Sequence, residues 1–491
     1  MSATNSRTTR RLLLAFTTGL SLLAGCNGPL GITPMPKPTA RPGAAATPAP
    51  IPEFAPQPLP TAMPGNAGGT RLSPTAGMPP MAAPAEASGP SGDSGSVSDS
   101  PAAPATATRP GSSDMMMPRP EPFPEDPQIR PEAGLLTAGE WDDIAHWSFW
   151  LGLLNKQDYS GFGPTWGLDT RQRFGVKLSG GNGPLADAPV QLLDADTQKV
   201  LFEARTNTRG EASLYANLLG TSQSTHFSIK AGLGEQTQTQ PVSAGQGDAP
   251  TAISTQVKLE PAVNADLMLV VDTTGSMGDE LEYLKKELQN VAQRISSQNS
   301  QDLTLRLSAN FYKDLSDEYV IRPFPFTEDA ATVTSQLSKQ SASGGGDFPE
   351  ALDVALADAV DEHKWSPTAR ARLLFLVCDA PAHQTEDVLK RLHTSLVRAA
   401  AKGIRIIPVA SSGIDKETEF LLRMLAITTG GRYVFLTDDS GIGGGHIEPT
   451  IGDYKVEKLN DLMVRVATEY ITGSAPKPLP IQTANPVEDQ Q

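Results

Sequence analysis

Asp272, Thr274 and Ser276 set a carboxylate and two hydroxyls at alternate positions of the short stretch Asp-Thr-Thr-Gly-Ser. Ahead of them Leu267 to Val271 form an unbroken apolar run, which suits a strand buried on both faces. Behind them Met277, Leu281, Leu284, Leu288, Val291 and Ile295 recur at spacings of three and four, one face of an amphipathic helix. A buried strand, a glycine-containing turn and a helix gather the three oxygens at a carboxyl-terminal strand edge, where open α/β sheets bind ligands. A capping box pairing Ser276 with Asp279 would account for those two residues. It leaves Asp272 unexplained, because a charge directly behind an apolar run is costly when buried and unpaired.

The elements that must hold these oxygens can be read from the rest of the carboxyl-terminal half. Strands are predicted at 266–271, 303–312, 318–325, 372–378, 404–410 and 432–436, and helices at 277–297, 328–340, 349–362, 385–402, 416–427 and 454–471. Such alternation predicts a mostly parallel sheet with helices on both faces. The short link from Tyr312 to Glu318 predicts that the strand after it runs antiparallel at an edge. Gly344-Gly-Gly-Asp-Phe-Pro-Glu350 is a glycine-rich loop running into a helix, with Pro349 near its first turn. Asp379 closes the strand Leu373 to Cys378 as Asp272 closes its own, and Asp438 and Asp439 follow the strand ending at Leu436.

With these pieces in order, residues 263–473 resemble a von Willebrand factor type A domain, and the closest likeness is to bacterial envelope lipoproteins that carry one. The resemblance implies a doubly wound, Rossmann-like α/β fold. Asp272-Thr-Thr274-Gly-Ser276 is similar to the family's Asp-x-Ser/Thr-x-Ser signature, and Asp379 to the later acid of its metal-ion-dependent adhesion site. It therefore implies one Mg²⁺ or Mn²⁺ held by Asp272, Thr274, Ser276 and Asp379. A protein partner would then reach the metal by replacing a water with a carboxylate. Carboxylates and hydroxyls are hard oxygen donors, as these ions require. Where the family usually offers a Thr in the glycine-rich loop, this chain offers Asp347. Asp347 binds through water, stands outside the shell, or makes the site more structural than adhesive. The rival from another class is a haloacid-dehalogenase-type phosphotransferase or phosphatase with Asp272 as nucleophile. That motif would leave Asp379 and the glycine-rich loop without a role, and it would normally need a second acid where Thr274 stands.

The amino-terminal half is organised differently. Residues 1–25 join Arg7, Arg10 and Arg11 to an apolar run too short to span a bilayer, the form of an export signal. Leu23-Ala-Gly-Cys26 resembles a bacterial lipobox, which implies acylation of Cys26, and Asn27 after it leans towards the outer membrane or cell surface. Residues 26–134 hold more than half of the chain's 43 prolines with few large apolar residues, the composition of a disordered tether. As a coil it would span roughly 60 Å. Residues 135–168 form an aromatic segment with Trp147, Trp150, Leu151 and Leu154 at helical spacing, expected to pack on the domain that follows. Short alternating strands over 169–250 predict a small immunoglobulin-like β-sandwich, with 236–251 as a linker. Residues 474–491 read as a disordered tail.

Composition narrows the partners. The formal net charge is −15, and removing the signal makes it more negative, which argues against nucleic acid and anionic lipid and favours cations. Of the two cysteines, Cys378 closes a buried strand and has no partner once Cys26 is acylated, so no intrachain disulfide is expected. No Walker loop, zinc spacing or Ser-His-Asp order is present.

Overall fold

The computed structural model describes residues 130–243 and 249–478. The expected signal peptide, Cys26, nearly all of the tether and most of the tail lie outside the described residues.

The described chain opens with β1 (Thr137–Trp141) and three short helices, α1 (Trp147–Leu154), α2 (Gln157–Ser160) and α3 (Phe162–Trp166). Eight strands follow: β2 (Arg173–Gly180), β3 (Gly183–Pro184), β4 (Pro189–Asp194), β5 (Val200–Arg205), β6 (Glu211–Tyr215), β7 (Phe227–Ala231), β8 (Gln238–Val242) and β9 (Thr251–Ser254). The α/β part then runs β10 (Asn264–Asp272), α4 (Leu281–Ser296), β11 (Thr304–Tyr312), β12 (Ile321–Arg322), α5 (Ala330–Ser338), α6 (Leu352–Ala357) and β13 (Arg372–Cys378). It ends with α7 (Glu386–Lys402), β14 (Ile404–Ala410), α8 (Lys416–Thr429), β15 (Tyr433–Leu436), β16 (Glu457–Lys458) and α9 (Leu459–Thr472).

The large sheet has eight strands in the order β12-β11-β10-β13-β14-β15-β1-β16. From β11 to β15 neighbours are parallel, while β12 pairs antiparallel with β11, as the short link at Tyr312 predicts. Connections leave β10 towards β11 and return to β13 on its other side, so the strand order reverses between β10 and β13. In doubly wound sheets that crevice, at the carboxyl ends of the strands, is where ligands bind. Asp272 and Asp379 stand on its two sides.

Alternation along β10 feeds two cores. Leu267, Leu269 and Val271 pack with the apolar stripes of α4, α5 and α9. Met268 and Val270 face the other way, towards α6, α7 and α8. Because both faces are covered, β13 and β14 are buried at every position, and their sequences read as continuous apolar runs.

The structure draws the edge of the α/β sheet differently from the 263–473 span read from sequence. β1 lies within the expected helical segment 135–168, yet it adds to the sheet antiparallel to β15. Glu287 of α4 secures its entry by accepting from the backbone N–H groups of Gly134, Leu135 and Leu136 at 2.8–3.0 Å. The aromatic helix does pack against neighbouring structure, with Trp150 stacked on Phe420 of α8 at 5.7 Å between ring centres.

The sandwich comprises two four-stranded sheets. β2, β4, β5, β6 and β7 are short strands within 169–250, where the sequence predicts them. β8 and β9 fall in or next to the stretch read as a linker, where β8 is too polar and exposed to show an alternation. The sandwich shares a core with the α6–α8 side of the large sheet. Asp187 strengthens that junction by accepting from Arg372, at the start of β13, at 2.8 and 2.9 Å. Among the described residues Cys378 is a free, buried thiol, and no helix is long and apolar enough to cross a membrane.

Candidate metal centre

Asp272 is fully buried at the end of β10. Its Oδ1 accepts from the Thr274 backbone N–H at 2.9 Å and from the Thr274 hydroxyl at 2.6 Å, closing a tight turn of the kind Asp favours. The Thr274 and Ser276 hydroxyl oxygens are 3.2 Å apart. The turn continues as a 3₁₀ segment over Gly275–Asp279, so regular helix starts only at Leu281. No side chain caps either element. Asp279 instead accepts from the Ser412 hydroxyl at 3.0 Å. The capping box is thus absent, and Ser276 is left at the surface beside Thr274 and Asp379.

Asp379 follows β13 directly and is only 4 % exposed. The Ser276 hydroxyl hydrogen-bonds to its carboxylate. The glycine-rich loop closes the third side. Gly275 N–H donates to Gly344 O at 3.1 Å and Ser343 N–H to Thr273 O at 3.2 Å. A Cβ on Gly275 would lie 2.8 Å from Gly344 O, so only glycine lets the two loops approach this closely.

Two buried oxygens here, Asp272 Oδ2 and Asp379 Oδ1, have no hydrogen-bond partner. Orphaned buried carboxylate oxygens are rare in folded proteins because their desolvation is uncompensated. The electrostatics record the same tension. Burial, then the Asp379 charge, pushes the Asp272 carboxyl up to about 7 against the Thr274 hydrogen bonds. Burial lifts Asp379 to about 6 despite the Ser276 hydrogen bond. A cation between two such groups favours their charged forms and satisfies the orphaned oxygens. These two carboxylates and the Thr274 and Ser276 hydroxyls form a hard-oxygen donor set that fits Mg²⁺ or Mn²⁺. Among the described residues no three His, Cys, Asp or Glu side chains are gathered tightly enough to cage an ion by themselves. Hydroxyls and water must therefore complete any shell.

Asp347 is exposed and, among the described residues, makes no hydrogen bond or ion pair. The carboxylate of this loop that faces inward is Glu350, three residues on. Burial and then the charges of Asp272, Asp314, Asp379 and Asp317 push it up to about 9. Its sequence signal is faint, since an acid just after Pro349 at a helix start reads as an ordinary favourable dipole contact. Lys313, Asp314 and Asp317 also lie beyond the sequence reading. Lys313 Nζ donates to Thr273 O at 2.8 Å and to Ser343 Oγ at 2.9 Å, tying the turn to the glycine-rich loop. Asp317 accepts from Gly345 N–H at 2.8 Å, and Asp314 Oδ1 is 3.0 Å from His383 Nε2. His446, a loop residue, has a buried side chain with Nε2 2.7 Å from Glu280 Oε1.

Comparison with known proteins agrees with this fold. The family profile of the von Willebrand factor A domain matches residues 266–440. An ariadne-like RING finger protein of Acanthamoeba polyphaga mimivirus is 27% identical over 187 residues, 35% of this chain and 18% of that protein. The alpha-protein kinase vwkA of Dictyostelium discoideum is 28% identical over 122 residues, 25% of this chain and 19% of the kinase. The chain thus spans less than a fifth of the length of either relative. The sheet order, the crevice between β10 and β13 and the profile match agree on one assignment: the chain contains a von Willebrand factor A domain.

Proposed function

We propose that this chain is a non-enzymatic protein of the cell envelope whose A domain binds Mg²⁺ or Mn²⁺ and, through it, a protein partner. Asp272, Thr274, Ser276 and Asp379 hold the ion, and Asp347 acts through water or at the rim. The partner replaces one of the remaining waters. The observation that carries this reading is the pair of orphaned oxygens, Asp272 Oδ2 and Asp379 Oδ1, at adjoining strand ends. A. domains suggest interaction rather than chemistry, and the kinase activity in the name of the Dictyostelium relative belongs to that protein. The phosphotransferase alternative is less well supported: Thr274 stands where a second acid is needed, and Lys313 Nζ is already engaged by Thr273 and Ser343.

Titration with Mn²⁺, followed by loss of the free-ion paramagnetic resonance signal, tests the metal. One ion should bind per chain, and Asp379→Asn should weaken binding by at least about tenfold, the usual scale for losing a supporting group around a metal. Binding that is absent from the wild type, or unchanged in Asp379→Asn, contradicts the reading.

The anchoring part of the proposal rests on the lipobox. Acylated at Cys26, the chain would sit at the outer membrane or cell surface on its Pro-rich tether. Cys26→Ser should move the protein from the membrane to the soluble fraction, and equal fractionation of variant and wild type would place the anchor elsewhere.

A further inference from the structure

Glu350 is outside the four-residue donor set, yet its buried carboxylate is left unsatisfied beside it. Its backbone N–H donates to Pro381 O at 2.9 Å and its backbone pairs with Ala382, just beyond Asp379. The side chain turns inward from there. It is 2 % exposed, and Oε2 has no hydrogen-bond partner. The neighbouring acids differ in this respect, since Asp314 has His383 and Asp317 has the Gly345 N–H. Lys313 forms no ion pair with Glu350, its ammonium being spent on Thr273 and Ser343.

Gly345 shows where the Glu350 carboxylate points. A Cβ built there would lie 2.9 Å from Glu350 Oε1 and 3.5 Å from Thr274 Cβ. Only the missing side chain of Gly345, at φ +72°, keeps open the space between the Glu350 carboxylate and the Thr274 side chain. Three carboxylates close enough to feel one another's charge thus each keep a buried oxygen without a partner: Asp272 at the end of β10, Asp379 after β13 and Glu350 before α6.

We propose that Glu350 is a third carboxylate ligand of the cation, an inference that rests on the metal-binding reading above. Among the described residues the three acids form no tight cluster, because drawing them together in their charged forms costs repulsion that only a bound cation offsets. With a divalent ion bound, three carboxylates carry more negative charge than the ion offsets. The loaded site therefore repels an acidic side chain and suits a neutral or basic group of the partner. This narrows the partner chemistry away from the carboxylate that the family resemblance implies.

The test uses the full chain, Mn²⁺ as the probe ion and Glu350→Gln, which keeps the volume of the side chain. Paramagnetic resonance reads affinity, and water-proton relaxation enhancement reads the number of waters on bound Mn²⁺. Glu350→Gln should lose at least about tenfold in affinity and gain bound water, and acetate should displace that water in the variant but not in the wild type. Glu350→Asp, with its carboxylate withdrawn by one methylene, should fall between them and serves if Glu350→Gln does not fold. An unchanged water count in Glu350→Gln, with Asp379→Asn still losing the ion, overturns the role of Glu350 while leaving the metal site standing. Acetate displacing water equally well in the wild type overturns the charge argument. A wild type that binds no Mn²⁺ overturns both readings.

Discussion

Replacing Arg423 by Ala should destabilise the protein by about 3–5 kcal/mol, the usual result of breaking a buried ion pair on one side only. Arg423 is fully buried in α8. Its guanidinium donates to both Asp143 oxygens at 2.9 and 2.6 Å, to Glu419 Oε1 at 3.2 Å and to Thr450 O at 2.8 Å. It also lies over the Trp150 ring at 4.9 Å. Asp143 and Glu419 are equally inaccessible, with side chains 2% and 0% exposed, so Arg423→Ala strands Asp143 in the interior and leaves Glu419 only Lys416, at 3.2 Å, as a cationic partner. The network ties the segment after β1 to α8, and it explains why a stretch distant in sequence folds as part of the α/β unit. Denaturant titration should show a lower midpoint with an unchanged slope. A loss below about 1 kcal/mol would mean that the pair is solvated and the junction loose. The proposed cation site shares no side chain with this network, so Mn²⁺ affinity at low denaturant should not move.

Asp272 and Asp379 were easier to single out from sequence than the boundary of their domain, and the reasons are physical. Asp272 and Asp379 stand out because each ends a continuous apolar run, and a charge there has few structural explanations. Glu350 does not stand out, because what makes it unusual comes from Asp272, Asp379 and Gly345 on other loops. The same holds for Lys313 and Asp317, whose partners are loops brought together only by the fold. β1 was hidden for a different reason. It contains Ala138 and Gly139, the latter at a position crowded by Phe435 and Tyr454, and small residues carry no strand period. The helical spacing of Trp147, Trp150 and Leu154 then extended the helical reading backwards over it. Asp143, just ahead of that helix, is the buried partner of Arg423, which only the fold brings near it. β8 was missed because its side chains are polar and exposed, so no alternation marks it. The sandwich strands with one buried face and the doubly buried strands of the large sheet were all readable, since burial wrote the period into them.

In the proposed function Asp272 and Asp379 are held close in order to share a cation. The competition between protons and metal for these oxygens has a definite sign. Asp272 titrates at about 7 in the folded chain, against a model-compound carboxyl near 3.8, so between these values the native state binds more protons than the unfolded state. In chelator, stability should therefore fall as pH rises from about 4 to about 7. The increment due to Mg²⁺ should grow over the same span. Thermal melts at pH 8, with Mg²⁺ and with chelator, on wild type and Asp272→Ala, are the decisive measurement. Wild type should gain about 2.7 kcal/mol at a hundredfold excess of Mg²⁺ over its dissociation constant. Asp272→Ala should gain nothing, and in chelator it should be at least as stable as wild type, because one of two repelling carboxylates is gone. A melting temperature that ignores Mg²⁺ in wild type and Asp272→Ala alike would contradict the account.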